Sequence, residues 1–225
     1  MESAKPRLLT RDLAVRLLTG FIVGPLVLAL IVAGGLPYSI GLVVMVGLSL
    51  SEWYFIVRAK PPQSTARLIG WLTAGALYVC LSLGLFWGIR QAPLGLTWVL
   101  TLILANWATD SFAYIGGHLF GKHPLAPTIS PHKTVEGALS GIGLAVIVTV
   151  LVLLLTHSLT ALTLGIVLLT SPASVIGDLI ESAFKRHFGV KDSGRLLPGH
   201  GGMLDRIDGL LLACLVVGLF LAIAG

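Results

Sequence analysis

The chain has 225 residues, of which 56% are hydrophobic and 11% charged, with a net charge of +5 at pH 7 and a mean hydropathy of +0.95. Soluble domains carry about a quarter of their residues as charges, so a water-exposed globular fold is excluded and an integral membrane protein is implied. Cys80 and Cys214 both lie in apolar runs without disulfide or metal-site spacing, and the excess of cations reads as membrane topology, not as a nucleic-acid footprint.

In chain order, MESAKPRLLTRDLAVRLL starts basic and continues into an apolar run longer than a signal-peptide core, with no A-x-A-like cleavage site. It reads as a retained membrane helix over about 14–34. Six more apolar windows follow at about 36–57, 68–89, 94–116, 137–156, 159–184 and 207–224, each long enough for a ~30 Å hydrocarbon core. The Gly-Gly-Leu-Pro turn at Gly34 to Pro37 separates the first two, and His157-Ser158 the fifth and sixth. The expected fold is all-α and polytopic, with about seven transmembrane helices and no soluble domain or internal repeat. It is expected to form one membrane domain over 1–225, with N-terminal helices over 1–90 of unassigned role. The catalytic part is expected over 94–225, with cytoplasmic loops 117–136 and 184–206.

Lys and Arg collect in short cytoplasmic loops. With the N-terminus inside, fourteen of the fifteen Lys and Arg residues fall on the cytoplasmic side and only Arg90 lies outside, so N-in, C-out is expected. The same map places Asp110, Asp178, Asp205 and Asp208 toward that side, next to the basic loop. Within it, KDSGRLLPGHGGMLDRIDG gathers three carboxylates, three cations and a histidine in 19 residues.

A carboxylate within the bilayer costs at least ~2.5 kcal/mol and normally faces a partner or polar cavity. Asp178, Ser182 and Lys185 share one helical face; so do Asp205 and Asp208, and Asn106 and Asp110. Oxygen ligands of this kind suit Mg²⁺. Lys185, Arg186, Lys191, Arg195 and Arg206 exceed what the local acids need, and metal with Lys or Arg equips phosphoryl or nucleotidyl transfer. The backbone of Pro198-Gly199-His200-Gly201-Gly202 can approach phosphate oxygens closely.

Plainer readings stand beside these. Single cations next to membrane helices serve topology and lipid headgroups, and Asp178 and Lys185 can pair within one helix. His118, His123, His157 and His187 read as interfacial, with His200 the stronger candidate for chemistry. Glu52 is expected near a membrane interface with Trp53 and Tyr54 as belt anchors, and Tyr114 with the glycines of AYIGGHLFGK as a packing surface.

Ser182-x-x-Lys185-Arg186, Lys191-Asp192-x-Gly194 and Pro198-Gly199-His200-Gly201-Gly202-x-x-Asp205-Arg206-x-Asp208 together resemble the signature of phosphatidate cytidylyltransferases, also called CDP-diacylglycerol synthases. Asp110 to Gly117 and Ser130 to Gly137 are similar to further motifs of that family. The sequence departs from the pattern at His132, where a second lysine is expected, and at Gly209, where a small hydroxyl residue is expected.

The resemblance implies transfer of the cytidylyl group of CTP to phosphatidate at the cytoplasmic face, giving CDP-diacylglycerol and pyrophosphate for phospholipid biosynthesis. It implies Asp178, Asp205 and Asp208 as ligands of Mg²⁺, with a second metal or a monovalent cation admitted. Lys185, Arg186, Lys191, Asp192, His200 and Arg206 form the expected catalytic set, and Ser182, Lys133, Gly201, Gly202 and Asp110 the substrate-binding set. Expected partners are CTP, phosphatidate and membrane lipid, with no nucleic acid and a homodimer admitted; the expected location is a bacterial cytoplasmic (inner) membrane.

Other readings of the acid-and-base site are a polyprenol kinase or a cytidylyltransferase for a different lipid. A transporter with Asp110 and Asp178 as ion sites is less favoured, since repeated halves are a transporter feature absent here. The D-G-x-x-A-R pattern of CDP-alcohol phosphotransferases is also absent.

Overall fold

The computed structural model describes residues 11–194 and 201–224, with side chains described from residue 21 onward. Within these lie seven helices, α1 (Arg11–Ala33), α2 (Gly35–Ala59), α3 (Thr65–Gln91), α4 (Gly95–Phe120), α5 (Val135–Leu155), α6 (Ala161–His187) and α7 (Leu204–Ala224), and one hairpin, β1 (Pro124–Ala126) with β2 (Ser130–Thr134). The protein is a multi-pass membrane protein: α2, α3, α5, α6 and α7 are long and apolar enough to cross a bilayer. α4 has the length, but Asn106, Asp110, Ser111 and His118 make it less apolar; α1 contributes the shorter apolar stretch Phe21–Ala33.

Local chemistry sets the helix ends. Gly34 and Gly35 turn the chain between α1 and α2 at φ +64° and +53°, a region a side chain disfavours. Ser64 caps α3 by accepting from Arg67 N–H, Thr134 caps α5 by accepting from Gly137 N–H, and Thr160 and Thr163 form a reciprocal capping box on α6. Arg90, the one cation assigned to the far side, donates to Ile31 O at 2.8 Å and Val32 O at 3.3 Å. It thereby serves the carbonyls left open at the end of α1, where a positive charge is favoured.

The core joins α2, α3, α4, α6 and α7 through residues such as Val57, Val79, Leu83, Val99, Leu102, Ile166, Leu211 and Val217. α5 docks on α4 by a different device. Gly137, Gly141 and Ala145 repeat every fourth residue, so its backbone approaches Thr109 and Ala113 closely, and Ser140 Oγ donates to Phe112 O at 3.3 Å.

α6 meets α7 in the same way. A Cβ on Gly177 would lie 2.8 Å from Asp208 O and 3.0 Å from Leu212 Cβ, and one on Gly209 would lie 2.6 Å from Ser174 Oγ. The hydroxyl expected at position 209 therefore has no room there, and α6 supplies one through Ser174. Gly177→Ala is expected to force the two helices apart and to lower stability by about 1–3 kcal/mol; thermal unfolding in detergent measures it, and an unchanged transition would contradict this packing.

Two expectations are corrected. The segment after α4 is a bulged antiparallel hairpin pairing Pro124 with Thr134 and Ala126 with Ser130, closed by Ile129 N–H on Ala126 O. Trp53 is not a belt anchor: it is buried, stacked on Phe184 with ring centroids 3.8 Å apart, and donates from Nε1 to Trp71 O. The indole is large enough to fill the α2–α3–α6 junction while its N–H finds a carbonyl there. Tyr54, in contrast, is exposed.

Candidate active site

A cavity of about 860 Å³ opens where α4, α6 and α7 converge under the hairpin, within the ~300–1,000 Å³ range of small-molecule sites. Its ionisable lining consists of Asp110, Asp178, Asp192, Asp205 and Asp208 against Lys133, Lys185 and Arg206, with His118 and His132 beside them. Among the described residues, five carboxyl groups of the lining face three fixed cations.

Each acid is held in a distinct way. Asp205, in the first turn of α7, accepts at Oδ2 from the N–H groups of Ser193 (3.0 Å) and Gly202 (2.9 Å), and at Oδ1 from Lys185 Nζ (2.5 Å). Two backbone donors thus fix the carboxylate and aim its other oxygen at the lysine. Asp178, one turn before Ser182 on α6, pairs with Lys133 of β2 and receives Ser182 Oγ at 3.4 Å. Asp110 accepts from Ser174 Oγ at 3.2 Å and from Asn106 Nδ2 at 3.4 Å.

Lys185 also faces Glu181, 3.5 Å away on the same helix. Glu181 is 3% exposed, and among the described residues no N–H or hydroxyl group donates to either of its oxygens. Its other neighbour is Asp208, a second acid. Buried carboxyl groups normally have donors or cations to themselves, whereas here two acids adjoin and one lysine serves both Glu181 and Asp205. Asp178 and Lys185, which a shared helical face brings together in sequence, are instead partnered across the fold, by Lys133 and Asp205.

The sequence model of the cytidylyltransferase family matches residues 70–224, which include α4, the hairpin, α6 and α7 and therefore the whole cavity lining. The chain belongs to this family. It is 46% identical over 129 residues to a phosphatidate cytidylyltransferase of Staphylococcus saprophyticus, covering 56% of this chain and 50% of that protein. Phosphatidate cytidylyltransferases of Staphylococcus aureus and Staphylococcus epidermidis are 42% and 43% identical over 146 residues, covering 64% of this chain and 55% of each. The chain thus spans about half the length of the curated relatives it matches.

Of the family-motif residues, Asp110, Lys133, Asp178, Lys185, Asp192, Gly201, Asp205, Arg206 and Asp208 line the one cavity. Ser182 touches it only through Asp178. Gly202 lies beneath it, buried against Ser193 and Glu52. Arg186 points away: its guanidinium donates to Ile129 O at 3.2 Å and Val190 O at 3.3 Å, tying the hairpin turn to the end of α6. Lys191 is exposed. His200, with Arg195 and Pro198-Gly199, lies outside the described residues.

Sequence reasoning passed over Glu181 and kept Glu52 as a minor candidate at a membrane interface; the fold puts both to use. Glu181 lies three residues after Asp178 and four before Lys185, a helical ion-pair spacing that marks it. Glu52 is far from every motif in sequence, and only its cost as a membrane acid signals it.

For a metal, the chemistry of the donor set is suitable: hard carboxylate oxygens in an electronegative cavity, one of them orientated by backbone donors. Among the described residues, no three His, Cys, Asp or Glu side chains already converge on one point. Lysine ammonium groups occupy the cation positions beside Asp178 and Asp205.

Proposed function

We propose that the protein transfers the cytidylyl group of CTP to phosphatidate, forming CDP-diacylglycerol and pyrophosphate. The observation that carries this reading is the single cavity in which the acids and cations of the family signature, drawn from α4, β2, α6 and α7, face one another. Acidic groups that outnumber the fixed cations of the lining favour a nucleotide triphosphate that arrives with a cation. Mg²⁺ is the proposed cofactor, with Asp178, Asp205 and Asp208 as its ligands and Asp110 beside them; when bound it offsets the charge of the phosphates and of the departing pyrophosphate.

The protein's own part is positioning. Phosphatidate brings an ionised phosphate whose oxygen attacks the α-phosphorus of CTP; that P–O bond forms as the bond to the β-phosphate bridge breaks, and no protein nucleophile is needed. Lys133, Lys185 and Arg206 line the cavity where they can hold phosphate oxygens as pyrophosphate leaves. Gly201, without a side chain, leaves backbone open to the same space.

The lipid approaches sideways, its tails in the bilayer, past the α4 and α5 surfaces where Tyr114, Leu119 and Leu139 are exposed. The site faces the cytoplasm of a bacterial membrane, with the N-terminus inside and α1 and α4 completing seven spans. CTP, phosphatidate and membrane lipid are the proposed partners, and the role of the chain is phospholipid biosynthesis.

The test is pyrophosphate release by the purified protein in detergent, given CTP, Mg²⁺ and phosphatidate and then deprived of each in turn. Release that needs all three is expected. Release without phosphatidate, or none with verified fold and lipid, would overturn the reaction.

A further inference from the structure

The cavity is lined by α4, the hairpin, the start of α5, α6, α7 and residues between the last two, yet a side chain that holds one of its corners comes from α2, ahead of the stretch that carries the family match. Glu52 is 6% exposed, and its carboxylate accepts from three donors: Ser193 Oγ at 2.7 Å, Met203 N–H at 2.8 Å and Leu204 N–H at 2.9 Å. One carboxylate thus joins Ser193 to the first residues of α7. The two N–H groups lie at the start of α7, where helix donors lack carbonyl partners and negative charge is favoured. Room for the carboxylate comes from two glycines: a Cβ on Gly194 would lie 2.8 Å from Glu52 Oε1, and one on Gly202 would collide with Ser193 Oγ and Glu52 Oε2.

The next residue of α2 completes the grip. Trp53 stacks on Phe184, which immediately precedes Lys185, while Ser193 and Gly202 donate their N–H groups to Asp205. Adjacent residues of one helix therefore hold the immediate surroundings of both members of the Lys185–Asp205 pair.

We infer that Glu52 is a positioning residue of this site: it fastens Ser193 and the start of α7 to α2 so that Asp205 and Arg206 are set against Lys185 and Asp178 across the cavity. Its effect on turnover rests on the reaction proposed above; its hold on Ser193 and the start of α7 does not.

The experiment compares Glu52→Gln, which keeps the volume and removes the charge, with Leu83→Ala, which loosens the same bundle through a buried side chain away from the cavity. In Glu52→Gln, amide hydrogen exchange should rise at least about tenfold in peptides covering 201–205, and kcat for pyrophosphate release should fall roughly 10- to 100-fold with both KM values within about threefold. Leu83→Ala should leave kcat near wild type below its unfolding transition and should show no rise confined to 201–205. Unchanged exchange over 201–205 in Glu52→Gln overturns the clasp, and raised exchange with wild-type kcat overturns the positioning role. If the wild-type protein releases no pyrophosphate, the reaction falls instead, and exchange alone decides whether Glu52 holds the start of α7.

Discussion

Asp205→Asn is expected to lower pyrophosphate release by at least about 10²-fold while the protein still folds. The carboxamide keeps one oxygen for the N–H groups of Ser193 and Gly202, so the start of α7 retains its local bonds. Its NH₂ group then faces the ammonium of Lys185, a donor against a donor, and Lys185 is left with Glu181 at 3.5 Å. The stability cost should be about 1–3 kcal/mol, that of a mispaired buried polar group. The larger loss falls on catalysis, because the substitution removes a negative charge aimed into the cavity and releases the lysine from its position. Initial rates and thermal unfolding on the same preparation separate the two effects. Wild-type turnover would exclude Asp205 from the machinery, and loss of folding would make it primarily a cap of α7.

Much of this arrangement is legible in the sequence because hydrophobicity and charge act over long windows. Apolar runs locate the helices to within a few residues, and a map of Lys and Arg puts Asp110, Asp178, Asp205 and Asp208 toward one side. What sequence periodicity does not carry is the identity of partners across the fold. Asp178 and Lys185 lie on one helical face and suggest a pair, but β2 brings Lys133 to Asp178 and α7 brings Asp205 to Lys185. The hairpin is hidden for a similar reason. Strands of three and five residues, with Pro124 opening the first, Pro131 inside the second and Pro127 in the turn between them, are too short to show alternation. Glu52 and Trp53 mislead because an acid beside aromatic residues near a helix end fits an interfacial belt; burial against Ser193, the start of α7 and Phe184 is a tertiary fact. Arg186 illustrates the limit of motif transfer within this chain, since its guanidinium is occupied by the carbonyls of Ile129 and Val190.

The second large effect concerns Lys185 and separates folding from chemistry. Lys185 and Asp205 have side chains 9% exposed, and Glu181 is 3% exposed, so a single ammonium serves two buried acids. Lys185→Met strands both acids and should cost about 3–5 kcal/mol of stability, the usual penalty for removing one partner of a buried ion pair. Adding Asp205→Asn removes one stranded charge, so the double variant should be more stable than the two single losses predict, by a coupling of about 0.5–3 kcal/mol. Adding Glu181→Gln as well removes the second acid that Lys185 served, leaving Asp208 with a neutral neighbour, and the unfolding transition should climb further toward wild type. Turnover should return in none of these, because stability needs only the absence of unpaired charge, whereas phosphate positioning needs the ammonium and the aspartate themselves. Thermal unfolding and pyrophosphate release measured across the series decide the point. A triple variant that regained both stability and activity would make this cluster part of the scaffold and would move the chemistry to Lys133, Asp178 and Arg206.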